Sequence, residues 1–152
     1  QSALNDFHGL PHRLEDVATI NDIRFIDDSK ATNVDAVARA LEAFNKPVIL
    51  IMGGRDKGGD FQTLKNLVHK YTKKLIIMGE ARDSIRSVLE DACTGGAQTT
   101  STMEDAVSLS YRAAAPGDIV LLSPACSSFD MYSSYAERGD AFCRAVDNLK
   151  EQ

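Results

Sequence analysis

The chain has 152 residues, of which 43% are apolar and 26% charged, and a net charge of −5. That is the length of one ordinary domain with material for a real core, and the mixture is globular rather than disordered. The acidic balance argues against a nucleic-acid or anionic-membrane binder. The three widely spaced cysteines, Cys93, Cys126 and Cys143, lack a CxxC pair and argue against a disulfide framework or a zinc site.

In chain order, the sequence opens on Gln1 rather than Met, as expected of a segment of a longer protein, and residues 1–8 read as a linker or lead-in. Glu15–Ile20, the turn pair Asn21-Asp22 and then Ile23–Asp27 predict an edge hairpin. Val34, Val37, Ala38, Leu41 and Phe44 share a helical face with Thr32 or Asn33 as cap. Val48–Met52 is a continuous apolar run, the mark of a strand buried on both faces. Phe61, Leu64, Leu67, Val68 and Tyr71 form a second helical stripe behind Asp60, and Leu75–Met78 is the next strand. Ile85, Val88, Leu89 and Ala92 make a third stripe, while residues 91–100 carry no usable signal. Thr102 caps a fourth helix ended by Pro116-Gly117. Ile119–Leu122 is a last strand, and Phe142, Ala145, Val146 and Leu149 mark a terminal helix.

Strand-helix alternation of this kind predicts a three-layer, Rossmann-like α/β sandwich, a mostly parallel sheet of about six strands with an antiparallel edge hairpin. No stretch is apolar for long enough to span a bilayer, and there is no basic-then-apolar secretory signal at residue 1. Reduced thiols in a cytosolic compartment are the expectation.

Ligands of such folds collect where the strands end at their carboxyl side. Three loops there are unusual. Residues 27–33 (DDSKATN) open a helix, whose free N–H groups favour an anion; Lys30 adds a charge, Thr32 a hydroxyl, and Asp28 an acceptor for ribose hydroxyls. The same residues also suit ordinary capping. Residues 53–60 (GGRDKGGD) combine four glycines with Arg55 and Lys57, which suit a carboxylate or phosphate. No G-x-x-x-x-G-K-[ST] phosphate loop occurs anywhere in the chain. Residues 123–132 (SPACSSFDMY) offer Ser128 to a carboxylate and Phe129 as a pocket wall. Cys126 has no general base beside it in sequence and reads as a buried structural thiol. Taken alone, Arg13 and His12 read as surface and structural residues.

Gly9–Arg13 (GLPHR), DDSKATN, Gly53–Gly58 (GGRDKG), Pro116–Asp118 (PGD), Leu122–Asp130 (LSPACSSFD) and Glu137–Gly139 (ERG) occur in that order. Together they resemble the carboxyl-terminal domain of the Mur ligase family, in its D-glutamate-adding form, over nearly the whole chain. The resemblance implies a ligase that forms an acyl phosphate from ATP and UDP-N-acetylmuramoyl-L-alanine, which D-glutamate then attacks, in bacterial cytoplasmic peptidoglycan synthesis. It implies that residues 1–152 are the amino-acid-binding domain. The UDP-binding domain and the central ATPase domain, which carries most of the Mg2+ ligands, would lie outside this sequence. It assigns Arg13 and Asp28 to ATP, Lys30 to the reaction centre, Thr32 and Lys57 to one carboxylate of D-glutamate, and Ser128, Phe129 and Tyr135 to the other. It assigns no metal ligand here. Tyr135 stands where the family often has Phe, a change that a backbone contact survives. Two rivals stay in view: a sibling Mur or folylpolyglutamate ligase, against which the first loop argues, and a stand-alone anion- or nucleotide-binding module.

Overall fold

The computed structural model describes residues 10–56 and 58–151. Strand β1 (Glu15–Ile20) and strand β2 (Ile23–Asp27) pair antiparallel at one edge. Asn21 and Asp22 join them at φ 51° and 64°, the left-handed pair that a tight hairpin turn requires and that Asn and Asp tolerate. Then follow helix α1 (Val34–Phe44), β3 (Val48–Gly53), α2 (Lys65–Tyr71), β4 (Thr72–Met78), α3 (Arg82–Leu89), β5 (Ala97–Thr99), α4 (Met103–Ala113), β6 (Ile119–Leu122) and α5 (Tyr135–Lys150). The sheet order is β1-β2-β6-β3-β4-β5, parallel throughout except for the β1–β2 edge.

The period-two alternation of the strands divides the core. Ile26, Leu50, Met52, Leu75, Ile77 and Leu121 pack under α1, α2 and α3. Phe25, Ile49, Ile51, Ile76, Val120 and Leu122 pack under α4 and α5. Both faces are covered, which is why the central strands read as unbroken apolar runs. Truncating one such residue, Leu50→Ala for example, costs about 2–5 kcal/mol.

Helix starts follow capping chemistry. Asn33, not Thr32, caps α1 by accepting from the Ala36 N–H at 2.9 Å, and Thr102 caps α4 by accepting from the Asp105 N–H at 3.1 Å. Two stripes read as single helices are split. Phe61–Leu64 is a 3-10 turn leading into α2, and Glu90–Ala92 is a 3-10 turn finishing α3. Asp60 accepts from the Gln62 N–H at 3.1 Å and tightens that first turn. The silent segment at 91–100 contains β5, three residues at the outer edge held by β4 alone.

The helices that follow β2, β3 and β4 lie on one face, and those that follow β5 and β6 on the other. β6 sits between β2 and β3. Its outgoing chain therefore departs from both neighbours toward the opposite face, and a crevice opens at their carboxyl ends. No helix among the described residues is long and apolar enough to cross a membrane.

Candidate functional site

All three unusual loops meet at that crevice. The first follows β2. Asp27 and Asp28 leave the sheet buried, with 0% and 4% exposure. Asp27 Oδ1 accepts from the Ser29 N–H at 2.9 Å, and its Oδ2 lies 2.6 Å from His12 Nδ1. Burial outweighs these bonds and pushes the Asp27 carboxyl up. Asp28 Oδ1 accepts from the Leu14 N–H at 3.2 Å, and Oδ2 from the Ser123 hydroxyl at 2.8 Å. Burial pushes Asp28 up to about 6, against those two bonds.

Beside Asp28 lies an open cleft of about 340 Å³, lined among others by Arg13, Lys30, Ala31 and Arg39. Three cations around one acceptor suit a polyanion that also carries hydroxyl groups. Both Asp28 oxygens already hold protein donors, but each keeps a second lone pair for a ligand. The Lys30 ammonium donates to the Tyr135 phenol at 3.2 Å and lies 4.6 Å from that ring's centroid.

The floor of the crevice is Arg138. Its Nε donates to Ser29 Oγ at 2.9 Å, one Nη to the Ser29 carbonyl at 2.8 Å and the other to the Cys126 carbonyl at 3.0 Å. Ser29 Oγ donates onward to the Tyr135 carbonyl at 2.7 Å. One side chain thus ties the loop after β2, the loop after β6 and the start of α5. It is 3% exposed, and burial draws its guanidinium down to about 10.

The glycine loop is held differently. Arg55 and Ser127 form an isolated antiparallel bridge, with N–H···O distances of 3.0 and 3.1 Å. Gly54, at φ 144°, allows the approach: a Cβ there would lie 2.2 Å from the Ser127 carbonyl oxygen. The Arg55 side chain points outward and pairs with Glu80, both exposed. Farther along, Gly59 passes the start of α1, where a Cβ would come within 3.6 Å of Val34.

The structure brings Arg13, Asp28 and Lys30 together on the cleft and places half-buried Thr32 at the start of α1, beside the passing glycine loop. Lys57 lies outside the described residues, as does the lead-in at 1–8. Ser128 is 2% exposed. The Met131 and Tyr132 N–H groups fold back onto the Ser128 carbonyl, and the Phe129 ring is sent outward, 59% exposed. The Tyr135 carbonyl is used by Ser29, so only its N–H, at the first position of α5, is left for a backbone contact. Burial pushes the Cys126 thiol up to about 12, which keeps it protonated and inert. Sequence reasoning assigned no role to Arg138, Ser29, Ser123 or Arg39. For Arg138 a signal existed: positions 138, 142, 145 and 149 repeat at helical spacing, which puts the arginine on the inward stripe of α5.

A family model described as "Mur ligase, glutamate ligase domain" matches residues 12–126. A UDP-N-acetylmuramoylalanine--D-glutamate ligase of Desulfatibacillum aliphaticivorans is 53% identical over 149 residues, 98% of this chain and 33% of its own length. The same-named protein of Salinibacter ruber is 50% identical over 149 residues, 98% of this chain and 32% of its own. The chain thus spans about a third of the length of the curated relatives it matches. Among solved structures, the MurF ligase of Thermotoga maritima in complex with ADP superposes with TM-score 0.59 at 13% identity, covering 97% of this chain and 37% of that one.

Proposed function

Because the chain belongs to the Mur ligase family, through its glutamate ligase domain, we propose that it is the carboxyl-terminal domain of an ATP-dependent bacterial ligase that adds D-glutamate to UDP-N-acetylmuramoyl-L-alanine. In the parent reaction, the carboxylate of that substrate takes the terminal phosphoryl group of ATP. The amine of D-glutamate attacks the acyl phosphate, an amide forms, and phosphate leaves with the broken C–O bond. The pathway is peptidoglycan synthesis and the compartment the bacterial cytoplasm. Mg2+ and most nucleotide contacts belong to the central domain of the parent enzyme, and the UDP group to its amino-terminal domain.

The observation that carries this reading is the convergence at one crevice of the loops after β2, β3 and β6. Arg13 and Lys30 offer positive charge to phosphates on the cleft, and Asp28 offers a lone pair to a ribose hydroxyl. Lys30 is the group placed at the reacting phosphoryl. D-Glutamate is a dianion and needs two separated donor sets. Thr32 with Lys57 supplies one. The Ser128 hydroxyl, with backbone at Phe129 and Tyr135, supplies the other.

Steady-state kinetics of the full-length enzyme test this. Lys57→Ala and Ser128→Ala should each lower D-glutamate efficiency about tenfold to a hundredfold, the worth of one hydrogen bond to a charged group. Asp28→Ala should instead raise KM for ATP more than KM for D-glutamate. Wild-type D-glutamate kinetics in both of the first two variants would end the carboxylate-clamp reading. The 152-residue chain alone, which has no phosphate loop, should release no phosphate from ATP with both other substrates present; turnover would overturn the domain assignment. The sibling reading is disfavoured by the relatives at 50% and 53% identity, and a stand-alone module by their threefold greater length.

A further inference from the structure

We propose that His12 and Asp27 are positioning residues that fix the strap at residues 12–14 over the cleft, with Gly139 as the notch that admits them. The proposal rests on reading that cleft as the nucleotide site. The strap carries Arg13 between two residues with left-handed backbone, His12 at φ 67° and Leu14 at φ 47°. A leucine in that region is disfavoured, and such a conformation persists only where its surroundings impose it.

The surroundings here are specific. His12 Nδ1 meets buried Asp27 Oδ2 at 2.6 Å, and the ring's other nitrogen lies 3.6 Å from an exposed Asp140 oxygen. The His12 N–H donates to Glu15 Oε1 at 2.9 Å, and the His12 carbonyl accepts from the Lys30 N–H at 3.0 Å. The Leu14 N–H donates to Asp28 at 3.2 Å. Arg13 is therefore bracketed on both sides, and one bracket is the backbone of Lys30 itself. The strap and the loop after β2 form one body, and the His12 ring, held by Asp27, is the pin. Neither residue of the pair lines the cleft. Each acts through Arg13 and Lys30.

Gly139 supplies an independent observation. It lies inside α5, where glycine is disfavoured. A Cβ there would sit 2.2 Å from His12 Nδ1 and 2.7 Å from Asp27 Oδ2. The helix gives up a side chain at the one point where the pair presses against it.

The test uses the full-length ligase, with ATP varied at saturating D-glutamate and the reverse. His12→Ala should raise KM for ATP on the order of tenfold, since small displacements of a binding group have effects of that size or larger, and leave KM for D-glutamate within about twofold. His12→Asn should recover most of that loss. Its amide nitrogen takes the place of Nδ1, and Asn accepts left-handed backbone. His12→Gln, whose nitrogen falls at Nε2 instead, should not. Gly139→Ala should raise KM for ATP in the wild-type background and add little to His12→Ala, a non-additivity expected only of groups in contact. Arg13→Ala is the control for the site itself. If it raises KM for ATP while His12→Ala and Gly139→Ala leave it at the wild-type value, the pair has no positioning role and the cleft reading stands. If Arg13→Ala changes nothing, the cleft reading falls and takes this proposal with it. Equal losses toward ATP and D-glutamate, unrecovered by Asn, would reduce His12 to a structural residue and overturn the proposal. Should His12→Ala not fold, the Asn and Gln variants decide, and equal behaviour of the two overturns it.

Discussion

The two walls of the crevice are built by different means. The wall after β2 is held by side chains: Asp27, Asp28 and Arg138 are all nearly inaccessible and all hydrogen-bonded. The wall after β3 is held by backbone, through Gly54 and the Arg55–Ser127 bridge, and its charged side chain at Arg55 faces solvent. Buried ionisable groups make the first wall exact in geometry but sensitive to chemistry. The second wall is indifferent to most side chains and intolerant only where a Cβ cannot fit. The first wall holds the proposed phosphate and ribose contacts. The second leaves its rim for the amino acid.

That contrast can be broken by substitution. Arg138→Ala should have the largest effect, because it strands the buried carbonyls of Ser29 and Cys126 and empties a buried site: about 3 kcal/mol or more of stability, read from the urea midpoint. A loss under about 1 kcal/mol would mean that Arg138 is not the clamp. On the other wall, Gly54→Ala should cost about 2–3 kcal/mol through its φ of 144° and its collision with the Ser127 carbonyl. A neutral result would show that the bridge yields easily.

Asp28→Asn sharpens the comparison through pH. Asp28 titrates at about 6 in the fold against 3.8 for an ordinary carboxyl. The folded state holds this proton more tightly than the unfolded state does. Its contribution to stability is therefore full below a pH of about 4 and is lost as pH rises through about 6. Melting curves across that window should flatten for Asp28→Asn, whose neutral-pH midpoint should equal or exceed wild type. An unchanged slope would place the carboxylate in wetter surroundings. Arg55→Ala should do least: its partner Glu80 is exposed, and the unfolding midpoint should not move. A clear drop would give the second wall a side-chain contribution that the geometry denies.

The parts of this molecule legible in the sequence are those with a period or a local partner. The runs Val48–Met52 and Ile119–Leu122 announced strands, and Asn33 and Thr102 announced helix starts, because each signal lies within four residues of its effect. The loops behind those runs could be marked as candidate ligand edges because their place follows from the strands. What stayed hidden depends on partners far apart in the chain. Ser123 is 95 residues from Asp28, Arg138 is 109 from Ser29, and His12 is 15 from Asp27. No spacing rule links such pairs, so Arg138 drew no role and Asp28 read as an open acceptor. Strand β5, at three residues, is too short for a two-residue alternation to stand out.

The Arg55–Ser127 bridge has a consequence for chemists. Two loops that leave different strands are stitched through main-chain atoms, so they form one lip rather than two fingers. An inhibitor scaffold aimed at this edge would meet a single preformed contour. Replacing the side chains at 55 and 127 would leave that contour in place, so a compound whose grip is on the main chain there would offer resistance mutations little to remove.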